Sequence, residues 1–158
     1  EKSKNGDKNM NIHFLKSKEK KQLLTQLEEQ FGILELPYLL IETGKEKIRG
    51  FTGHLSKEEI TKLGEIANVE LIGLYLIRKE HDLRLSFDAT NVLNNQINKN
   101  VLEITDEQTK LWLKGNDLEI PAQKGTLIIK NNSNFLGCGK STGNRIINHV
   151  PKERRLRK

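Results

Sequence analysis

The sequence predicts an α+β protein in which an N-terminal α/β domain is followed by a small β-barrel. Two observations lead to this class. The first half alternates amphipathic helical segments with short β-rich runs, and the second half consists mainly of short apolar runs separated by glycine and asparagine. With 158 residues, the chain has room for one domain or for two small domains that share a core.

The N-terminal region begins with a polar segment and continues with a helix. Residues 1–9 are polar and without periodicity and precede Met10, so we interpret them as a leader or a disordered segment. Between residues 17 and 31, Leu23, Leu27 and Phe31 recur at helical spacing, and Gly32 follows as a stop signal. This pattern predicts an amphipathic helix.

The next segments predict strands and two further helices. Residues 38–42 and 47–53 are typical of a hairpin, with a turn at Gly44. Ser56 and Glu59 have the spacing of a capping box, which opens a helix through Ile66. The runs 69–78 and 83–87 predict two strands, and residues 89–97 a short helix.

An asparagine-rich segment, residues 94–100, predicts a domain boundary, with one domain at residues 10–94 and another at 95–158. The second domain is expected to contain a strand at 102–104, a helix at 105–113, strands at 126–130 and 134–139, and a final extended segment at 141–150. Trp112 is expected to pack in its core.

Composition excludes several classes of protein. No apolar run approaches the roughly 20 residues of a membrane helix, and the lysine-rich N-terminus lacks the apolar stretch of a signal peptide, so we expect a cytoplasmic protein without membrane contact. One cysteine, Cys138, and four scattered histidines predict no structural metal and no internal disulfide.

Positive charge is concentrated at the C-terminal end. The chain has 27 Lys and Arg against 21 Asp and Glu, a net charge of +6, and residues 1–94 are balanced at 15 of each sign. Residues 130–158 contain eight basic side chains and one acidic side chain, Glu153. Such a cluster is typical of a protein that binds a polyanion, and nucleic acid is the leading partner. For the last five residues alone, a solubilising tail is an equally good interpretation.

Two motifs suggest alternative chemical functions, a phosphate-binding loop and a cysteine nucleophile. Gly139, Lys140 and Ser141 suggest a phosphate-binding loop, but Asn134 stands where the first glycine is required, and too few residues follow to complete a nucleotide-binding domain. Cys138 with His149 as its base would suit a small hydrolase or transferase, although a buried thiol is the better interpretation of a cysteine between two glycines. We therefore predict no catalytic residues.

The most informative segment is residues 136–157, where glycines are interleaved with cations. Gly137, Gly139 and Gly143 would allow the backbone to approach a ligand closely, while neighbouring cations would contact phosphates. The predicted phosphate contacts are Lys140, Arg145, Lys152, Arg154, Arg155, Arg157 and Lys158, with Asn148 as a hydrogen-bond donor to sugar or base. Arg78, Lys79 and Arg84 are a predicted extension on the first domain.

The same segment resembles a known family. Gly137-Cys-Gly-Lys140, then Gly143, then Asn148-His-Val-Pro-Lys152 with terminal arginines is similar to the end of the PUA-like domain of Nop/Sun-type RNA cytosine-5 methyltransferases. It departs from that pattern at Ile147, where lysine is usual, and at Glu153-Arg154, where Gly-Leu is usual. Residues 22–93 more weakly resemble the accompanying pre-PUA domain, an arrangement also found in small PUA ribosome-assembly factors.

The resemblance implies a pre-PUA α/β domain followed by a PUA-like β-barrel that binds RNA, either rRNA or tRNA, in ribosome biogenesis or RNA modification. It implies no enzymatic activity, because the chain lacks the cofactor-binding domain and its fingerprint, and no cofactor is expected. Ribosome-assembly or RNA-modification proteins are further expected partners. The alternative is a protein–protein adaptor that recruits an RNA-modifying enzyme such as a cytosine-5 methyltransferase.

Overall fold

The structure is a computed structural model that describes residues 12–44, 46–52, 55–66 and 73–157. The predicted leader at 1–9, Lys158 and residues 69–72 of one predicted strand lie outside the described residues. In chain order the elements are β1 His13–Phe14, α1 Ser17–Phe31, β2 Leu39–Thr43, β3 Lys47–Phe51, α2 Lys57–Ile66, β4 Leu74–Lys79, β5 Leu83–Leu85, α3 Phe87–Val92, β6 Val101–Glu103, α4 Asp106–Leu113, β7 Gly125–Asn131, β8 Asn134–Ser141 and β9 Ile146–Asn148. Short 3-10 helices occupy Asn94–Gln96 and Lys152–Arg154. No helix in these ranges is long and apolar enough to cross a membrane.

The first half forms a five-stranded antiparallel sheet in the order β1-β2-β3-β4-β5. The predicted helix α1 is confirmed with its bounds, and Leu23, Leu27 and Phe31 are buried. They belong to a cluster that also contains Ile48 and Ile77 of the sheet. Burial of this leucine stripe explains why a largely polar segment is held as a helix.

Helix α2 lies on the face of the sheet opposite to α1, where Ile60 packs with Ile41 and Phe51. Its predicted cap is confirmed: the Ser56 hydroxyl accepts a hydrogen bond from the Glu59 amide at 3.1 Å, and the Glu59 carboxylate accepts one from the Ser56 amide at 3.2 Å.

The strand predicted at 83–87 is shorter than expected, and the helix after it begins earlier. Ser86 ends β5 because its hydroxyl accepts a hydrogen bond from the Ala89 amide at 3.0 Å and donates one to the Tyr75 carbonyl at 2.6 Å. Phe87 is thus the first residue of α3 and not the last residue of a strand. Local capping by serine overrides the β propensity of phenylalanine here.

The second half contains a four-stranded sheet in the order β6-β7-β8-β9, in which β6 is parallel to β7 and the other pairs are antiparallel. One face is covered by α4, whose Trp112 is fully buried and donates from its indole nitrogen to the Leu136 carbonyl at 2.8 Å. An isolated antiparallel β-bridge joins Leu118 to Ile146, the first residue of β9. The predicted barrel is therefore an open sheet in the described residues, because no pairing joins β6 to β9 there.

The two sheets share hydrophobic core. Ile128 of β7 and Phe135 and Cys138 of β8 belong to the same buried cluster as α1 and the first sheet. Helix α3 lies against β8, where the Thr90 hydroxyl accepts a hydrogen bond from the Gly137 amide at 3.2 Å. The division at residues 94–95 stays a prediction, but the apolar contacts cross it.

Candidate nucleic-acid interface

The β8–β9 hairpin carries Lys140 on the face of the second sheet opposite to α4. Antiparallel register places Thr126, Lys140 and Ile147 in one cross-strand row, and both Lys140 and Ile147 are exposed. At the hairpin end, the Thr142 amide donates to the Arg145 carbonyl at 2.9 Å. Ile147 lies on the side of Lys140, and because side chains alternate along a strand, Arg145 and His149, which flank β9, are expected on the same side.

His149 connects this face to the first sheet. Its Nδ1 atom lies 2.8 Å from an Nη1 atom of Arg84, on β5. Since a guanidinium can only donate, Nδ1 accepts this hydrogen bond, and the neutral ring carries its proton on Nε2. Burial lowers the pKa of His149 below its ordinary value, and the charges of Arg84 and Lys140 lower it further.

A second arginine lies beside Arg84 on the outer face of the first sheet. Arg78 and Arg84 are paired in the β4–β5 register, and Glu80 contacts both, with 3.3 Å from its carboxylate to each guanidinium. Arg78 also contacts Glu46 at 3.2 Å. We call the residues where the two sheets meet the seam face: Arg78, Glu80, Arg84, Lys140 and His149.

Arg145 lies at the far end of the hairpin and forms ion pairs with two acidic residues. Its guanidinium contacts Asp117 at 2.7 Å and Glu119 at 3.1 Å, while half of its side chain remains exposed. The structure thus places Arg145 near the predicted surface, but with part of its charge already balanced.

The C-terminal segment is folded back on α4. The Leu156 amide donates to the Leu113 carbonyl at 2.8 Å, and Arg155 donates from Nε to the Val150 carbonyl at 2.9 Å. Arg155 also lies directly over Gly115, where a Cβ atom would come within 2.6 Å of its Nε. The last arginines are therefore held against the end of a helix.

These contacts bring together a group of cations that we call the tail patch. Lys152 and Arg157 are exposed, and so is Lys114 at the end of α4. Arg154 contacts Asp88 at 2.9 Å, and the other members have no ion pair with a described residue. The members are Lys114, Lys152, Arg154, Arg155 and Arg157. Lys114 was missed in the sequence, although Lys110 and Lys114 at i and i+4 were a usable signal.

Asn148 does not have the predicted role. Its Nδ2 atom donates to the carbonyls of Trp112 and Asn116 at 2.7 and 2.8 Å, and its Oδ1 atom accepts from the Val150 amide at 2.7 Å. Both Nδ2 hydrogens are therefore used within the protein, and no donor remains for a sugar or base. Asn148 ties β9 to the end of α4.

Gly137 and Gly139 also differ from the prediction, because both are buried. A Cβ atom on Gly139 would come within 2.6 Å of Ile146 and 2.7 Å of Trp112, and one on Gly137 within 3.2 Å of Phe87. These glycines allow close packing inside the protein and do not present backbone to a ligand. Gly143, in the hairpin turn, is partly exposed with φ +109° and keeps the predicted access.

Lys79 lies on the wrong side of the first sheet for the predicted extension. It contacts Glu42 at 2.8 Å, and both residues line a hollow that includes Gln22 and Leu23 of α1. Arg78 and Arg84 lie on the opposite face. Lys79 is therefore a matched control residue and not part of the seam face.

The observations argue against Cys138 as a nucleophile. The thiol is buried among apolar side chains, and this burial raises its pKa to about 12. His149 cannot act as its base through Nδ1, since that atom accepts from Arg84. The described residues also contain no group of three metal-ligating side chains. Gly139, Lys140 and Ser141 lie within strand β8, which is not the loop that a phosphate-binding motif requires.

The match to a family model covers the second sheet, α4 and the tail patch except Arg157. Residues 99–156 match the family model described as the PUA domain of methyltransferase RsmF. The chain is similar to ribosomal RNA small subunit methyltransferase F of Shewanella oneidensis, with 26% identity over 144 residues. That alignment covers 86% of this chain and 28% of the relative, so the chain spans little more than a quarter of the relative's length.

A solved structure resembles this chain over most of its length. The conserved PUA domain protein from Thermoplasma acidophilum superposes with a TM-score of 0.58 over 90% of this chain and 95% of that chain, at 18% identity. The chain therefore has a PUA-like α+β fold. Most seam-face and tail-patch cations, including Lys140 and Arg155, lie within residues 99–156, which we call the PUA-type region, whereas Arg78 and Arg84 precede this region and Arg157 follows it.

Proposed function

We propose that this chain is a non-catalytic RNA-binding module that takes rRNA or tRNA as its ligand and works in ribosome biogenesis or RNA modification in the cytoplasm. In this proposal residues 10–94 are a pre-PUA domain that supports the PUA-type region. The observation that carries the proposal is the tail patch, a cluster of cations held in place on a PUA-type region.

Charge and order support RNA as the ligand. Lys114, Lys152 and Arg157 are exposed and unpaired among the described residues, so binding a phosphate there breaks no existing ion pair. Arg155 is fixed by its bond to Val150, which reduces the entropy lost when it contacts a ligand. Counterion release from the RNA provides the driving force.

The test is the salt dependence of binding to a fluorescein-labelled single-stranded RNA, followed by anisotropy. With about six phosphates neutralised, the slope of log affinity against log salt is expected near about −4. The double variant Lys114→Ala, Arg157→Ala should lower affinity and make the slope less steep by about 1.4, which is about 0.7 for each lost contact. Lys18→Ala, Lys21→Ala removes the same charge from exposed positions on α1 and should change binding less. Equal effects of the two double variants would contradict the proposal.

A second candidate, the adaptor role, is favoured by one observation. A hollow beside α3 is lined by Tyr38, Phe51, Leu55, Leu74 and Val92, of which Leu55 and Val92 are 41% and 50% exposed. Such apolar exposure is typical of surfaces that bind proteins. Competition separates the two functions, because bound RNA should be displaced by unlabelled RNA and not by a polyglutamate peptide of equal charge.

A further inference from the structure

We infer that the seam face contains a phosphate-binding site, formed by Nε2–H of His149, the ammonium of Lys140 and the guanidinium of Arg84, for a phosphodiester of bound RNA. The inference rests on the proposed function and adds a second contact region to it, at the junction of the two sheets.

The first step of the argument is the orientation of His149. Arg84 donates to Nδ1 over 2.8 Å, so the proton of the neutral ring is on Nε2. No hydrogen bond to Nε2 is present among the described residues, and the ring is only partly buried. The N–H group at Nε2 of His149 is therefore an oriented donor at the surface without a protein acceptor. The lowered pKa keeps the ring neutral.

The second step is the charge around this donor. Lys140 is exposed and has no ion pair with a described residue, and it lies close enough to His149 to lower the pKa of the ring. The register pairs Lys140 with Ile147 of β9, and His149 follows two positions after Ile147, just beyond the end of the strand, so the alternation of side chains favours the same side for both. Two cations and one neutral N–H donor close together suit a phosphodiester, whose two non-bridging oxygens share a single negative charge.

The third step is the role of Glu80. Its carboxylate contacts Arg78 and Arg84 at 3.3 Å each, and it is partly exposed. This carboxylate occupies donors of the arginines that a phosphate would use, so Glu80 competes with the ligand in the free protein. Removal of its charge should therefore increase affinity for RNA more than the same change at a carboxylate outside the seam face.

The experiment measures anisotropy of the labelled RNA with single variants of the full chain. Lys140→Ala should weaken binding about fivefold and reduce the steepness of the salt slope by about 0.7. His149→Leu should weaken binding by a similar factor, and His149→Gln, whose amide can accept from Arg84 and still donate, should restore most of it. Glu80→Gln should strengthen binding about threefold, within the range measured for one partly exposed ion pair.

Two matched controls, Glu42 and Lys79, lie on the α1 side of the first sheet, opposite to Arg78 and Arg84. Glu42→Gln makes the same change in charge as Glu80→Gln, and Lys79→Ala the same change as Lys140→Ala; both should leave RNA binding close to wild type. The thermal unfolding midpoint of each variant is measured as well, and a cooperative transition close to that of the wild type establishes that the variant is folded.

The outcomes separate the site from the proposed function. If Lys140→Ala and Glu80→Gln bind RNA like the wild type while the tail-patch double variant is weakened, the seam site is wrong and the proposed function stands. If all of these variants bind like the wild type, both are wrong. Displacement of the RNA by a polyglutamate peptide that is abolished by Lys140→Ala would assign the site to carboxylates and also overturn the inference.

Discussion

Replacement of Asn148 by alanine should lower stability and leave RNA binding intact. The variant removes three hydrogen bonds, two donated by Nδ2 to the carbonyls of Trp112 and Asn116 and one accepted by Oδ1 from the Val150 amide. At about 1 kcal/mol for each bond, the free energy of unfolding should fall by about 3 kcal/mol.

Urea unfolding followed by tryptophan fluorescence measures this effect, since Trp112 is the only tryptophan and lies at the site. With a slope of about 2 kcal/mol per molar urea, the midpoint should move down by about 1.5 M. Asn144→Ala is the control, because Asn144 is exposed in the hairpin turn, and it should change stability by less than about 0.5 kcal/mol. An Asn148→Ala variant with unchanged midpoint and weakened RNA binding would refute this reasoning and restore Asn148 as a ligand contact.

Three further outcomes follow from packing and titration. Gly139→Ala should lower stability by about 1–3 kcal/mol, measured by urea unfolding, because the added methyl group has no room next to Trp112; an unchanged midpoint would contradict the contact. Cys138, whose pKa is raised to about 12 by burial, should resist alkylation by iodoacetamide in the native protein and react after unfolding, as read by mass spectrometry. The lowered pKa of His149 means that the folded chain binds this proton less well than the unfolded chain. Its contribution to stability should be complete above pH 6.5 and be lost as the pH falls below that value, and His149→Gln should make this loss smaller; identical pH profiles would exclude His149 as the cause.

Local features of the fold could be predicted because each depends on a few neighbouring residues. Helix α1 follows from its leucine spacing, and the start of α2 from the pair Ser56 and Glu59. The start of α3 differs from the prediction because Ser86 caps the helix and ends β5 before Phe87, although the β propensity of Phe87 favours a longer strand.

The site was harder to predict because its contacts are long-range. Arg84 and His149 are 65 residues apart, and their hydrogen bond depends on how the two sheets dock. The sequence could not distinguish polar residues that are used internally, such as Asn148, from those left on the surface. A strand pattern with alternating Arg145, Ile147 and His149 was the available signal that His149 would share a face with Lys140.

The core shared by the two sheets has a consequence for unfolding. Ile128 and Phe135 each contribute about 1.5–3 kcal/mol through burial in the cluster of the first sheet, so neither half keeps its full stability when the other melts. Calorimetry should therefore show a single cooperative heat-absorption peak and not two. Fragments cut at residue 94 would each expose apolar surface that is buried in the intact chain. Aggregation of the fragments through this surface would obscure any measurement of affinity made on one half alone.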